Sequence, residues 1–270
     1  VFQLSYSRIS TWKSCRKSYE WSYILKLEPK LVRPEIGLGR AIHETLANFY
    51  SQEPIDRTKD ILDFAYEESM HQSLAELETF KRGLEQKDRD NFNKNLGKGK
   101  LWLDRYWNKY GIEEDIPKAE TEKLMEIKFD DIVFVIKPDM LVNKEDGTWI
   151  WENKSGNPDI QQLLLEDEQS LYYIFGLRKL GYNARGVIYN LISNPTSISD
   201  GLIREETERT DNELAGLEDE IKQISKEIQT LPRYPSRGFS CRWCFFRELC
   251  RCEWFGGDVE YLINKDFERR

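Results

Sequence analysis

Apolar residues recur at helical spacing through the first part of the chain and then give way to short runs with strand character. From Ser5 to Leu27, Ile9, Trp12, Tyr19 and Tyr23 keep a helical period, and from Gly39 to Ser51 Ile42, Leu46 and Phe49 do the same beside Tyr50. Pro29 and Pro34 separate these two segments. A polar helix is predicted from Asp60 to about Glu85 and an amphipathic one from Asp88 to Trp107, striped by Phe92, Leu96, Trp102, Leu103 and Tyr106; Pro117 closes the region. Glu122–Phe129, Asp131–Val142 and Thr148–Lys154 are rich in β-branched and aromatic residues and are divided by Asp130-Asp131 and Asp146-Gly147, which predicts a three-stranded meander. Asp159–Leu180 then reads as helix, Gly186–Ile192 as a buried strand and Asp211–Thr230 as a charged amphipathic helix, before Pro232, Pro235 and Gly238 introduce a cysteine-rich end. Because a long crossover through a helix normally returns the next strand parallel to its neighbour, the order predicts an α/β fold with a mixed central sheet flanked by helices.

Composition narrows this only slightly. A chain of 270 residues can bury a sizeable core, as one large domain or a core with a closely packed appendage, and 39% hydrophobic residues are too many for disorder. No run approaches the roughly 20 apolar residues of a membrane span and no signal segment opens the chain, so the expected location is cytoplasmic, with no membrane partner. The balance of 40 basic and 48 acidic residues gives a net charge of −8, so any nucleic-acid contact has to come from local basic clusters. Three exist: Arg8, Lys13, Arg16 and Lys17; Lys94, Lys98 and Lys100; and Arg237, Arg242, Arg247 and Arg251. Taken alone, such clusters read as solvated faces.

The sharper signal is acidic. A hairpin centred on Asp146 and Gly147 puts Asp139 of IKPDML about one rung from Glu152 and Lys154 of WENKSG, and these last two share a strand face. Paired carboxylates suit Mg²⁺ or Mn²⁺, which can polarise a phosphodiester and lower the pKa of an attacking water; a lysine can position that water or stabilise the transition state. The main-chain carbonyl of Asn153 is a further candidate ligand. Strand-end carboxylates are, however, commonly surface charges.

Pro138-Asp139 and Trp151–Gly156 resemble the first and second motifs of the PD-(D/E)XK nuclease superfamily, and the order helix, meander, helix, strand is similar to that family's core. Gln169 and Tyr173, four apart on the following helix, resemble the signature of the RecB-type exonucleases. The resemblance implies that Gln169 orients Lys154 and a bound water and that Tyr173 contacts the DNA backbone. It also implies a metal ligand in His43, since Gly39, Arg40, Ile42 and His43 are similar to the segment carrying that family's histidine; His71 is given no role.

Cys15, Cys241, Cys244, Cys250 and Cys252 are an odd set, which argues against a disulfide framework and for metal binding. Their spacing leaves zinc and iron-sulfur open. A subset of the RecB-type enzymes, including the AddB nuclease domain and CRISPR-associated iron-sulfur exonucleases, has one cysteine before the core and three after it with similar spacing, and the N-terminal LSYSRISTWKSCRKSYEW resembles their opening. This implies a structural 4Fe-4S cluster on Cys15, Cys241, Cys244 and Cys250, closing a loop of roughly 200 residues, with Cys252 unliganded.

The expected domain is a single nuclease domain over 1–252, comprising an N-terminal helical region (1–118), the core (119–195) and a C-terminal helix with the iron-sulfur segment (196–252), followed by a tail (253–270). The expected function is a metal-dependent DNA exonuclease with Asp139, Glu152, Lys154, Gln169 and Tyr173 in its catalytic set, favouring single-stranded ends. Trp12, Trp243 and Phe246 are candidates for base stacking, against core packing as the usual fate of aromatics. A different class of function stays open: an iron-sulfur DNA-binding module that recruits a helicase, recombinase or integrase partner, with cleavage weak or dispensable. So does a zinc-stapled binding protein. Polarity, DNA against RNA, oligomeric state and a role in repair, recombination or CRISPR are not legible here.

Overall fold

The computed structural model describes residues 2–30, 34–81, 84–111, 116–196 and 199–269. The elements begin with β1 (Phe2–Ser5), α1 (Tyr6–Ser14), α2 (Arg16–Tyr19), a π-helical turn (Glu20–Ile24), β2 (Leu27–Pro29), α3 (Pro34–Tyr50), α4 (Lys59–Lys81) and α5 (Gln86–Tyr110). Strands β3 (Glu120–Thr121), β4 (Met125–Phe129), β5 (Ile132–Ile136), β6 (Met140–Lys144) and β7 (Gly147–Ser155) follow. Helices α6 (Ile160–Glu166) and α7 (Glu168–Lys179) then lead to β8 (Ala184–Ile192) and β9 (Leu202–Glu208). The chain finishes with α8 (Asp211–Leu214), α9 (Leu217–Thr230), α10 (Arg247–Trp254), α11 (Val259–Asp266) and β10 (Phe267–Arg269). The polar helix expected to about Glu85 includes positions 82–83, which lie outside the described residues. Among the described residues, no helix is long and apolar enough to cross a membrane.

Two compact units result. The larger comprises Arg33–Ile127 and Ile136–Ala215; the smaller comprises Val1–Val32, Lys128–Val135 and Gly216–Arg270.

The larger unit is built on a mixed sheet of order β3-β6-β7-β8-β9. β6 and β7 form an antiparallel hairpin, β8 returns parallel to β7 after the helical crossover, and β9 closes the edge antiparallel to β8. Residues Val187 to Ile192 of β8 are all buried, the near-continuous run expected of a strand covered on both faces. β9 carries Arg204, Glu205, Glu206 and Glu208, and such charges protect a sheet edge from further pairing. Met140, Val142, Trp149, Trp151, Ile188 and Ile192 join Ile42, Leu46, Phe49 and Tyr50 of α3, Leu62, Tyr66 and Met70 of α4, and Trp102, Leu103 and Tyr106 of α5 in one buried cluster. The buried Arg57 guanidinium donates to the main-chain carbonyls of Tyr50, Gln52, Ile116 and Pro117, holding the loops around that cluster.

In the smaller unit β1 runs parallel to β5, in register from Phe2↔Ile132 to Ser5↔Val135, and β2 pairs antiparallel with β10. Trp21, Leu27, Phe246, Leu249, Ile263 and Phe267 form its own apolar cluster, with the Phe246 and Phe267 rings stacked at 5.4 Å. α9 buries Leu217, Ile221, Ile224 and Ile228, a stripe with the helical period.

Four expectations need revision. The Ser5–Leu27 helix divides at Cys15, whose backbone is extended (φ −161°, ψ 113°), and ends before Leu27, which belongs to β2. The meander is four strands: the Asp131–Val142 run breaks between β5 and β6, and the break contains Pro138, which has no N–H to give a ladder. β5 and β4 then join β1 in a sheet of order β1-β5-β4, while β6 and β7 belong to the five-stranded one. The Asp159–Leu180 helix divides at Asp167, which has extended backbone (φ −71°, ψ 95°) and caps α7. The Asp211–Thr230 helix divides at Gly216, whose φ of 85° suits a residue without Cβ.

Gly186, in β8, leaves no room for a side chain: a Cβ there would lie 2.1 Å from the Thr207 carbonyl oxygen and 2.8 Å from the Trp149 ring. Gly186→Ala is therefore expected to lower unfolding free energy by about 1–3 kcal/mol in a urea titration, with a corresponding fall in the denaturation midpoint.

Candidate active site

The β6–β7 register, Met140↔Trp151, sets Asp139 at the entry of β6 beside the far half of β7. There the Asn153 main-chain N–H donates to Asp139 Oδ2 at 2.8 Å. Glu152 and Lys154, on the alternate face of the strand, meet each other with Lys154 Nζ 2.7 Å from Glu152 Oε1. From α3, which buries Ile42 and Leu46, His43 brings Nδ1 to 3.2 Å from Asp139 Oδ2. Local signals thus converge His43, Asp139, Glu152, Asn153 and Lys154 in the larger unit.

Gln169 and Tyr173 lie on one face of α7, and Gln169 Nε2 donates to the Tyr173 hydroxyl at 2.9 Å. Tyr173 feels the charges of Glu152 and Asp139, which places its phenol towards the same cluster. Its pKa is pushed up to about 12, chiefly by burial. The Gln169 amide here engages Tyr173, its neighbour four residues on along the same helix face.

Glu152 is only 6% exposed. Burial raises its carboxyl well above the usual carboxylate range and the Asp139 charge adds to this, with Lys154 and His43 offsetting part of the rise. For His43 burial acts downward, but the Asp139 hydrogen bond and charge outweigh it and the imidazole is raised. Lys154 behaves alike: burial acts downward, while the charge and hydrogen bond of Glu152, with Asp167 and Asp139 behind them, keep it raised. Every one of these shifts expresses the same demand for positive charge beside two carboxylates.

Asp167 was not singled out by sequence reasoning. Its Oδ1 accepts the Gln169 N–H at 3.1 Å, its Oδ2 accepts the Tyr189 hydroxyl at 2.7 Å, and its charge supports Lys154. The available signal was an aspartate at an N-cap position two residues before Gln169, concealed by reading one continuous helix.

The cysteines belong to the smaller unit. Cys15, Cys241, Cys244 and Cys250 line one cavity of about 270 Å³, with Trp21, Arg237 and Trp254 among its other walls. Burial first, and then the neighbouring thiols, push Cys244 and Cys250 up. The Ser236 N–H points at Cys15 Sγ at 3.4 Å. Cys252 is not part of that lining; its sulfur sits against Gly257, where an added Cβ would approach it to 2.7 Å. All five thiols are free. Among the described residues, no group of three or more His, Cys, Asp or Glu side chains stands in an arrangement that could hold a metal ion.

Of the proposed stacking residues, Trp12 and Phe246 are buried, their rings packing on Tyr19 and on Trp21 and Phe267, whereas Trp243 is 66% exposed. Among the basic clusters, Lys13, Arg16, Lys17, Lys100 and Arg251 pair with carboxylates, as solvated faces do.

A family model described as the PD-(D/E)XK nuclease superfamily matches residues 3–251. No curated protein matches the chain. Among solved structures, one named SSO0001 is 17% identical, spanning 82% of this chain and 97% of its own, with a TM-score of 0.33. A protein from Eubacterium rectale named "Putative exonuclease" is 13% identical, spanning 80% of this chain and 90% of its own, with a TM-score of 0.37.

Asp167→Ala removes a cap and an acceptor of the Tyr189 hydroxyl, so it is expected to lower unfolding free energy by about 1–3 kcal/mol. Asp167→Asn, which can still cap, is expected to lose less; paired urea titrations compare the two.

Proposed function

Because this chain belongs to the PD-(D/E)XK nuclease superfamily, we propose that it is a divalent-metal-dependent DNA exonuclease that hydrolyses phosphodiester bonds and favours single-stranded ends. The observation that carries the reading is the pair of buried Glu152 and half-buried Lys154 within electrostatic reach of Asp139 and His43. Superfamily members generally use ions such as Mg²⁺ or Mn²⁺, and the donor set here fits them: two carboxylates, an imidazole and the main-chain carbonyl of Asn153 are hard or borderline ligands. Glu152, raised by burial and by Asp139, is the group such a cation would return to its ionised form. When bound, the ion would supply charge to polarise the phosphodiester and to activate water.

The remaining work falls to the chain's own side chains. His43, Asp139 and Glu152 hold the cation. Lys154 positions the attacking water and offsets charge on the phosphate as it develops. Gln169 and Tyr173 position that water and the strand, with Asp167 fixing the start of their helix.

The single-strand preference rests on the smaller unit. Phe239 and Phe255 are 71% and 79% exposed, Trp243 and Trp254 more than half exposed, and Arg242 and Arg237 lie over the Phe239 and Trp254 rings. Unpaired bases stack on such rings, whatever their sequence, while arginines meet the phosphates. In the same unit, we propose that Cys15, Cys241, Cys244 and Cys250 hold a structural 4Fe-4S cluster. Four thiols around one cavity, with Cys244 and Cys250 pushed up by burial and then by their neighbours, fit a cationic cluster that takes them as thiolates.

Anaerobically purified protein with Mg²⁺ or Mn²⁺ is expected to degrade end-labelled single-stranded DNA, and Lys154→Ala to lower the rate by at least about 100-fold while circular dichroism remains that of the wild type. Equal cleavage by both, or by neither, would shift the function to a DNA-binding module that recruits a partner.

The purified chain is expected to be brown, with about four iron and four sulfide per molecule, and Cys250→Ser to lose both. A colourless protein containing zinc and no sulfide would replace the cluster with a zinc staple.

A further inference from the structure

On the sheet face opposite Glu152 and Lys154, the larger unit buries a chain of polar side chains; Trp151 and Asn153 belong to a family motif, while Asn190, Tyr106, Tyr50 and Arg204 belong to none and have no part in the proposed mechanism. Asn190 of β8 is 0% exposed and lies directly across the parallel ladder from Asn153 of β7. Its Nδ2 donates to Asn153 Oδ1 at 2.8 Å and to the Tyr106 hydroxyl at 3.3 Å. Trp151 Nε1 gives Asn153 Oδ1 its second hydrogen bond, at 3.1 Å, so both lone pairs of that oxygen are used. The Asn190 amide has a fixed orientation too, because Arg204 Nε approaches its Oδ1 at 3.5 Å. Arg204 also donates to Tyr106 at 3.2 Å, and its guanidinium lies 4.4 Å from the Trp151 ring centre. Tyr106 and Tyr50, from α5 and α3, share a hydrogen bond of 2.6 Å.

A buried amide is costly to place unless it is fully bonded, and an apolar pair would pack this position at less risk. The network ends at the site: the N–H of Asn153, whose side chain is held in this way, donates to Asp139 Oδ2, the atom that His43 also approaches. Glu152 and Lys154 are its immediate chain neighbours.

We propose that Asn190 is a positioning residue that acts through Asn153: its amide fixes the peptide between Glu152 and Lys154 and, through the Asn153 N–H, the Asp139 carboxylate. The inference rests on the nuclease reading of that cluster. Loss of the amide pair loosens the two carboxylates relative to each other, so it weakens cation binding and slows the chemical step without altering contacts to DNA.

The test uses the full-length chain as Asn153→Leu/Asn190→Leu, which removes both partners of the amide pair together; Trp151 Nε1 and Arg204 Nε each lose an acceptor, so some loss of stability accompanies it. Mn²⁺ affinity is measured by calorimetry, and cleavage of single-stranded DNA as kcat and KM. The expected result is at least tenfold weaker Mn²⁺ binding and at least tenfold lower kcat, with KM for DNA close to wild type, at a temperature where the variant is folded. Asn190→Asp, the same shape and supported by Arg204, is the second variant should the double one fail to fold; it withholds the donated hydrogen bond and is expected to show the same two losses. Unchanged Mn²⁺ affinity and kcat in the folded variants, or a lowered midpoint as the sole effect, would overturn the proposal and leave the amides a packing role. If wild-type protein binds Mn²⁺ yet cuts no DNA, the nuclease reading fails by itself and the Mn²⁺ comparison still decides the role of Asn190.

Discussion

A carboxylate closed away from water costs several kcal/mol unless positive charge answers it, and Glu152 is in that position. Much of the larger unit follows from that constraint. The side chain sits on a strand flanked on both sides, β6 antiparallel and β8 parallel, so its backbone has no freedom to carry it outward. Lys154 answers it two residues on, His43 approaches from α3 through Asp139, and Asp167 at the start of α7 keeps the lysine charged. Each partner comes from a different element, so the sheet and its covering helices have to assemble before the charges balance.

Such a cluster is stable as a protein feature while remaining electrostatically unfinished. Two acids are held near one ammonium and one imidazole, and burial, with the Asp139 charge added, still leaves Glu152 raised. A site of this kind gains from a cation or from a polarised phosphate without needing to unfold. Rigidity behind it then matters as much as charge within it, which gives the all-polar amide pair on the opposite sheet face its meaning.

The sequence makes this centre legible because its signals are local. Asp146-Gly147 fixes a hairpin, the hairpin fixes which residue faces Asp139, and a two-residue period puts Glu152 and Lys154 together. What escaped depends on partners far along the chain. Asn190 looks like one polar interruption in an apolar strand until Asn153 and Arg204 are brought beside it. β9 lacks the apolar alternation of a strand, since a sheet edge selects its charges, and β1 and β10 are too short to announce themselves before their partners are known. Pro138 was read as part of a motif, when it also ends a strand. The cysteine spacing was clear from the start, but the shared cavity of Cys15 with the three late cysteines is a product of folding.

The composition of the smaller unit has a temporal consequence. Its β1 needs β5, its β2 needs β10, and its thiol cavity needs residues from both ends of the described chain. Protein synthesis is vectorial, so the larger unit, whose segments end at Ala215, has been synthesised before the third segment of the smaller one, Gly216–Arg270, exists. At about 5–20 residues per second, Cys15 waits on the order of 10–45 s for Cys241. Throughout that interval the cavity lacks three of its four thiols, so this unit stays incomplete until the C-terminal segment has been made.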